Sequence, residues 1–190
     1  MNAVRVIWLL LCVVWISAEI KLARANRLEA HATADSEQRT QVWLWLSVLA
    51  SLGLALWFKT WAWLPIPLEY LPRQLLAMLL FAAGLALRYR AVGQLGRLFT
   101  THVTILHEHR LITDGPYRWV RHPAYTGLLL ALAAAGLAMG DVLALLILTL
   151  PTGFAFLSRI ALEEALLEKK FGSAYRDYRK TTRKLLPWLY

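Results

Sequence analysis

Long apolar stretches alternate with shorter polar segments along this chain. A helix that crosses about 30 Å of hydrocarbon needs roughly 20 mostly apolar residues. Five stretches qualify or nearly qualify, and they cover residues 3–18, 42–58, 71–87, 123–139 and 142–158. The last two are short and are separated only by Gly140 and Asp141, which predicts a tight helical hairpin. The pattern predicts an all-α integral membrane protein with about five transmembrane helices.

The composition favours the same class of protein. Of the 190 residues, 58% are hydrophobic, and the mean hydropathy of +0.47 is too high for an ordinary soluble domain. We expect a single domain over residues 1–190, with three N-terminal spans in residues 1–92 and the remaining elements in residues 93–190.

The net charge of +9 is distributed by loop rather than evenly. If the five spans are correct, all 21 lysines and arginines except Arg5, Lys59 and Arg73 lie on one side of the membrane. Because positive residues concentrate in cytoplasmic loops, we expect a cytosolic C-terminus and an N-terminus outside. The brevity of the chain favours a prokaryotic protein, so we expect it in the inner membrane of a bacterium. Topology accounts for the excess charge, so we expect no nucleic-acid partner.

Two groups of polar residues lie directly beside apolar runs. The first occupies residues 109–125, and the second has one arginine and two glutamates within residues 159–164. Pro123 stands where the fourth span begins, a position that suits proline, so His122 is expected at the positive end of the helix dipole. Polar groups this close to hydrocarbon are costly, which indicates that both groups have a function.

The pattern changes after residue 158. It predicts an amphipathic cytosolic helix that ends near Gly172, which is a suitable C-cap. A second short helix is predicted over residues 173–183, with Tyr175 and Tyr178 on one flank and basic residues on the other.

Arg159 and Glu163 are four residues apart and therefore share a helix face. One interpretation is an ordinary helical ion pair. The other is a binding pair, in which Arg159 orients an anionic substrate and Glu163 receives the amine of a ligand. Tyr117 and Tyr125 are equally ambiguous, since tyrosine is common at interfaces, yet its ring face also attracts a cation.

Several familiar signatures are absent from the sequence. It contains no glycine-rich dinucleotide motif after a strand, no P-loop, no nucleophile elbow and no zinc-protease motif. His109 and His122 lack the spacing of metal ligands, and the chain has one cysteine, so we expect no metal site.

The chain resembles the isoprenylcysteine carboxyl methyltransferase family, which belongs to a wider group that includes phospholipid N-methyltransferases. The resemblance covers roughly residues 93–190 and is specific because many elements follow one another in order. These elements are His109-Arg110-Leu111-Ile112, Gly115-Pro116-Tyr117, Arg121-His122-Pro123-Ala124-Tyr125, Arg159 with Glu163-Glu164, Phe171-Gly172, and Tyr175 with Tyr178.

The resemblance implies a membrane methyltransferase that uses S-adenosylmethionine, with residues 93–190 as its catalytic region. It implies that the loop before the hairpin at 123–158 binds the cofactor and that the C-terminal cytosolic helices complete the pocket. The cofactor residues that it implies are His109, Arg110, Leu111, Ile112, Tyr117, His122, Pro123, Ala124, Tyr125 and Glu163. It also implies that Arg159 faces the acceptor, and we take Arg159, Glu163 and Glu164 as the candidate catalytic residues.

We expect the acceptor to be a lipophilic small molecule or lipid with a carboxylate that is O-methylated. A carboxylate is already nucleophilic, whereas an amine must lose a proton, for which Glu164 or His122 would be candidates. The alternatives are a phospholipid N-methyltransferase, an NADPH-dependent membrane reductase, since sterol reductases have similar Gly-Pro-Tyr and Arg-His-Pro elements, and a non-enzymatic membrane scaffold. The sequence predicts neither the identity of the acceptor nor the oligomeric state.

Overall fold

The computed structural model describes residues 3–27, 35–96 and 111–187, with side chains described for residues 3–24, 42–96 and 111–187. A 3₁₀ turn at Gly115–Arg118 precedes α4. The helices are α1 (Ala3–Arg27), α2 (Asp35–Trp61), α3 (Tyr70–Leu95), α4 (Pro123–Met139), α5 (Val142–Phe171) and α6 (Ser173–Thr181). Within these ranges the β pairing is confined to two isolated bridges, so the prediction of an all-α fold is confirmed.

A helix lies at each of the five stretches that were predicted to span the membrane. Among the described residues, α1, α2, α3 and α5 are long and apolar enough to cross a membrane, whereas α4 is a shorter apolar helix of 17 residues. The four long helices extend beyond the predicted bounds because they continue into polar sequence. The α4 bounds are as predicted, since Pro123 begins the helix and Gly140, with a φ of 82°, ends it.

The α5 helix joins two segments that were predicted as separate helices. Its 30 residues include both the fifth predicted span and the amphipathic segment after residue 158, and they run through Pro151 without interruption. Asp141 caps its first turn: one carboxylate oxygen accepts from the Ala144 amide (2.9 Å) and the other from the Leu64 amide (2.8 Å). Gly172, with a φ of 55°, ends the helix as predicted.

The helices pack in a sequence in which α4 lies between α3 and α5, and α2 packs on α5. The α3–α4 crossing is close because a glycine faces a glycine there. A Cβ atom added to Gly84 would lie 2.6 Å from the Gly127 carbonyl oxygen, and one added to Gly127 would collide with the Gly84 carbonyl oxygen. Small residues permit such backbone approach between apolar helices.

We expect Gly127→Ala to lower the melting temperature by about 10 °C, because backbone atoms of Gly84 and Arg88 occupy the space that the new methyl group needs. Thermal unfolding in detergent measures the change. Gly53→Ala is the matched control, since a Cβ atom at Gly53 meets nothing within 4 Å and alanine favours helix. Equal stability of the two variants would contradict the close crossing.

The α1 helix is attached to α3 by polar contacts near both of its ends. Arg88 donates from Nε and Nη2 to the two carboxylate oxygens of Glu19, at 2.6 Å each. Near the other end, Trp8 Nε1 donates to Gln74 Oε1 at 2.6 Å. The buried Arg88 guanidinium is therefore neutralised by a bidentate partner on a helix that is otherwise largely exposed.

Candidate active site

The 3₁₀ turn places Tyr117 against the end of α3. Its hydroxyl donates to the Ala91 carbonyl oxygen (3.3 Å), and its own carbonyl accepts from the Tyr178 hydroxyl of α6 (2.6 Å). Burial, together with the nearby Glu163 carboxylate, raises the pKa of Tyr117 above its ordinary value. Its hydroxyl therefore stays protonated and can only act as a neutral hydrogen-bonding group at physiological pH.

The first turn of α4 provides one wall of the site. His122 is the N-cap residue and is buried, as are Pro123 and Ala124 after it. The Tyr125 ring lies with its centroid 5.2 Å from that of Phe156 on α5, in a tilted arrangement. The helix start that proline imposes thus holds an imidazole and a phenol close to α5.

The polar turn of α5 packs directly against this first turn of α4. Arg159 is 5% exposed and donates from Nε to the Tyr125 hydroxyl at 3.0 Å. Glu164 Oε1 accepts from His122 Nε2 at 3.2 Å, and Glu163 Oε2 lies 3.9 Å from His122 Nδ1. The imidazole is therefore flanked by two carboxylates.

The two carboxylates differ in exposure. The Glu164 side chain is 8% exposed and also accepts from Arg121 Nε at 2.8 Å. The Glu163 side chain is 35% exposed, and its contact with His122 is longer. Glu163 is therefore the carboxylate that an incoming cation can reach, and it follows Arg159 by about one helical turn in α5.

The structure brings most of the candidate residues together. Direct contacts join His122 to both glutamates and Tyr125 to Arg159, while Ile112, Tyr117 and Ala124 share an apolar cluster with Ala91. Leu111 begins the described part of this segment and is half-buried. His109 and Arg110 lie outside the described residues.

Sequence reasoning assigned no role to Arg121 or to the segment after α6. Arg121 Nη1 donates to the carbonyl oxygens of Thr182 (2.6 Å) and Arg179 (3.3 Å). The partners are about 60 residues apart in the chain. Because every residue type has a backbone carbonyl, the sequence does not show which carbonyl accepts the bond. The available signal was that Arg121 begins the Arg121-His122-Pro123-Ala124-Tyr125 element.

Comparison with known proteins identifies a family for the region that contains this site. The model of the isoprenylcysteine carboxyl methyltransferase (ICMT) family matches residues 75–169. That range includes the 3₁₀ turn, α4 and the polar turn of α5.

Two named relatives resemble the chain over longer stretches. A probable protein-S-isoprenylcysteine O-methyltransferase of Oryza sativa subsp. indica is 33% identical over 124 residues, which are 64% of this chain and 64% of the rice protein. Methanethiol S-methyltransferase 1 of Bradyrhizobium diazoefficiens is 32% identical over 153 residues, which are 74% of this chain and 53% of that protein. The chain thus spans less than two thirds of the length of either relative.

A solved structure has a similar fold. The eukaryotic intramembrane Ras methyltransferase, an isoprenylcysteine carboxyl methyltransferase, superposes with a TM-score of 0.58 at 23% identity. The superposition covers 84% of this chain and 55% of the solved one. The helical arrangement described above is therefore that of an integral membrane protein.

Proposed function

Because this chain belongs to the isoprenylcysteine carboxyl methyltransferase family, we propose that it transfers a methyl group from S-adenosylmethionine to a lipophilic acceptor within the membrane. The observation that carries the proposal is the cluster in which His122 and Tyr125 meet Arg159, Glu163 and Glu164. This cluster combines a reachable carboxylate, aromatic faces and a buried cation beside an apolar helix.

The residues present suit the proposed cofactor. S-adenosylmethionine supplies an activated methyl group on a sulfonium, and it also carries an amino group and a carboxylate. Glu163 would receive the amino group, since its carboxylate is partly exposed. Tyr117 and Tyr125 would attract the positive charge with their ring faces, and Leu111, Ile112, Pro123 and Ala124 would form apolar walls. His109 and Arg110 complete the proposed cofactor set.

Arg159 is the residue that we propose faces the acceptor. It is nearly fully buried at the point where α5 changes from apolar to polar sequence, so an anionic group bound there would lie at the edge of the hydrocarbon. A carboxylate held by the guanidinium needs no general base before it attacks a sulfonium methyl group in line. The protein's contribution is then orientation and exclusion of water.

The preferred acceptor class is a lipophilic carboxylate, and a prenylated cysteine is the first compound to test because the rice relative is named for it. A second candidate is a lipophilic thiol. The relative that aligns over 153 residues is named as a methanethiol S-methyltransferase, and a thiolate is also an anion that Arg159 could hold. A phospholipid amine is the third, with Glu164 or His122 receiving the proton.

One experiment tests the reaction and the orientation together. Inverted membrane vesicles from a bacterium that expresses the chain should transfer tritiated methyl groups from added S-adenosylmethionine to a lipid-soluble acceptor, whereas right-side-out vesicles should not. We expect this because the basic segments that flank the site belong on the cytosolic side. Vesicles without the chain serve as the control.

The chemical stability of the label identifies the acceptor atom. An ester releases its label in mild base, while a sulfur- or nitrogen-linked methyl group does not. Label transfer in right-side-out vesicles alone would contradict the orientation. A purified protein with no affinity for S-adenosylmethionine or its demethylated product would exclude the proposed reaction.

A further inference from the structure

The segment after α6 lies along the backbone that leads into α4. The Arg121 amide donates to the Arg183 carbonyl (2.7 Å), the His122 amide to the Lys184 carbonyl (3.2 Å), and the Arg183 amide to the Trp119 carbonyl (3.2 Å). The pairing is parallel, and the buried Leu185 follows it. We call residues 182–187 the C-terminal segment.

A buried ion pair holds this segment from one side. Arg121 donates from Nη1 to the Thr182 carbonyl and from Nε to Glu164 on α5, and the side chains of both charged residues are 8% exposed. Hydrogen bonds between ionised groups are among the stronger ones, and loss of one partner of a buried pair leaves the other uncompensated. The pair therefore connects α5, the backbone before α4 and the C-terminal segment.

We propose that Arg121 and Glu164 are positioning residues, which hold the C-terminal segment and the His122 imidazole in place and do not touch the methyl acceptor. The proposal deepens the proposed function and rests on it, since the side chain they position belongs to the proposed cofactor pocket. It gives Glu164 a different role from that of a proton acceptor.

The contacts of Glu164 support this role. One of its oxygens accepts from both Arg121 Nε and His122 Nε2, and its side chain is buried. Two cationic or hydrogen-bonding neighbours stabilise the ionised carboxylate, so a proton from an acceptor would have to displace bonds that are already made. Glu163, one residue away and more exposed, has no comparable pair of short contacts among the described side chains.

Thr126 offers an independent way to loosen the same segment. Its hydroxyl donates to the Leu185 carbonyl at 2.7 Å and also lies 3.2 Å from the His122 carbonyl oxygen, and it contacts neither glutamate in the described hydrogen bonds. Thr126→Val removes both of these hydroxyl contacts while leaving the Arg121–Glu164 pair intact. A positioning role predicts that loosening the segment at either point affects the site in the same direction.

Hydrogen exchange and kinetics on the full-length protein in detergent test the proposal. In Glu164→Gln we expect the Arg121, His122 and Arg183 amides to exchange at least about tenfold faster than in the wild type. Turnover should also fall, by a factor that does not change with pH, because under the proposal the Glu164 carboxylate neither gives nor takes a proton in the reaction. Thr126→Val should show the same two changes to a smaller extent. Glu168→Gln, whose half-exposed side chain contacts Arg176 and Arg179 rather than Arg121 or His122, should show neither.

Three results would overturn the proposal. Loss of turnover with unchanged exchange would show that Glu164 acts in the chemistry. Loss of one limb of the pH–rate profile would show that it exchanges a proton. Faster exchange with full turnover would show that the segment does not support the site. If the wild type binds no S-adenosylmethionine, the proposed function fails, while the exchange measurements still decide whether Glu164 holds the C-terminal segment.

Discussion

Replacement of Glu163 by alanine is expected to weaken the binding of S-adenosylmethionine by at least about 100-fold, to the point where calorimetry detects no binding. The reason is its position. Glu163 is the more exposed of the two carboxylates that flank His122, so it is the one that can meet the amino group of the ligand. Loss of a charge-assisted bond in a half-buried site removes an interaction that water does not replace well.

The control for this variant is Glu168→Ala. Glu168 lies further along α5, where it contacts Arg176 and Arg179 on the surface. The Glu168→Ala substitution removes the same charge from the same helix, and Glu168 does not contact His122 in the described contacts. Because exposed ion pairs contribute little, the affinity for S-adenosylmethionine should stay within about twofold of the wild type. Normal binding by Glu163→Ala would exclude Glu163 from the cofactor site.

Replacement of Arg159 by alanine is expected to separate binding from turnover. We expect turnover to fall by about 100-fold or more, because the acceptor loses the cation that orients its anionic group. The affinity for S-adenosylmethionine should change by less than about threefold, because in the proposed site the amino group of the cofactor meets Glu163 while Arg159 faces the acceptor. Calorimetry and steady-state turnover on the same preparation measure both quantities.

Two further variants sharpen this experiment. Arg159→Lys keeps the charge but not the planar pair of donors, so it should recover part of the turnover if charge orients the acceptor. Lys169→Ala removes an exposed cation from the same helix and should leave turnover near the wild-type value. Equal loss of affinity and turnover in Arg159→Ala would assign this arginine to the cofactor site instead.

The helices could be predicted because an apolar run and the residues at its two ends are visible in a short stretch of sequence. Pro123 and Gly140 are explicit start and stop signals, and α4 has the predicted bounds. The ends of α1, α2 and α3 were predicted too short, because a helix does not stop where the hydrocarbon stops. The separation of α5 into two elements was wrong for the same reason, since no glycine or proline follows Ser158 until Gly172, where the helix ends.

The site was predictable to the extent that its residues belong to compact motifs. The turn at Tyr117, the start of α4 and the polar turn of α5 are each short, and the family resemblance brings them together before any geometry is known. The bond from Arg121 to the Thr182 carbonyl has no such signal, because its acceptor is backbone and lies 61 residues away. Long-range contacts with main-chain atoms become visible only in three dimensions.

The uninterrupted α5 helix links bilayer thickness to the chemistry. Asp141 fixes one end of this helix against the loop before α3, and Arg159 follows about 18 residues later, roughly 27 Å along the axis. That length is close to the hydrocarbon thickness of a typical membrane. In a thicker or thinner bilayer, α5 would therefore tilt, or the Arg159 guanidinium would shift relative to the lipid headgroups. Lipid chain length is therefore expected to change the depth at which Arg159 would meet the anionic group of the proposed acceptor.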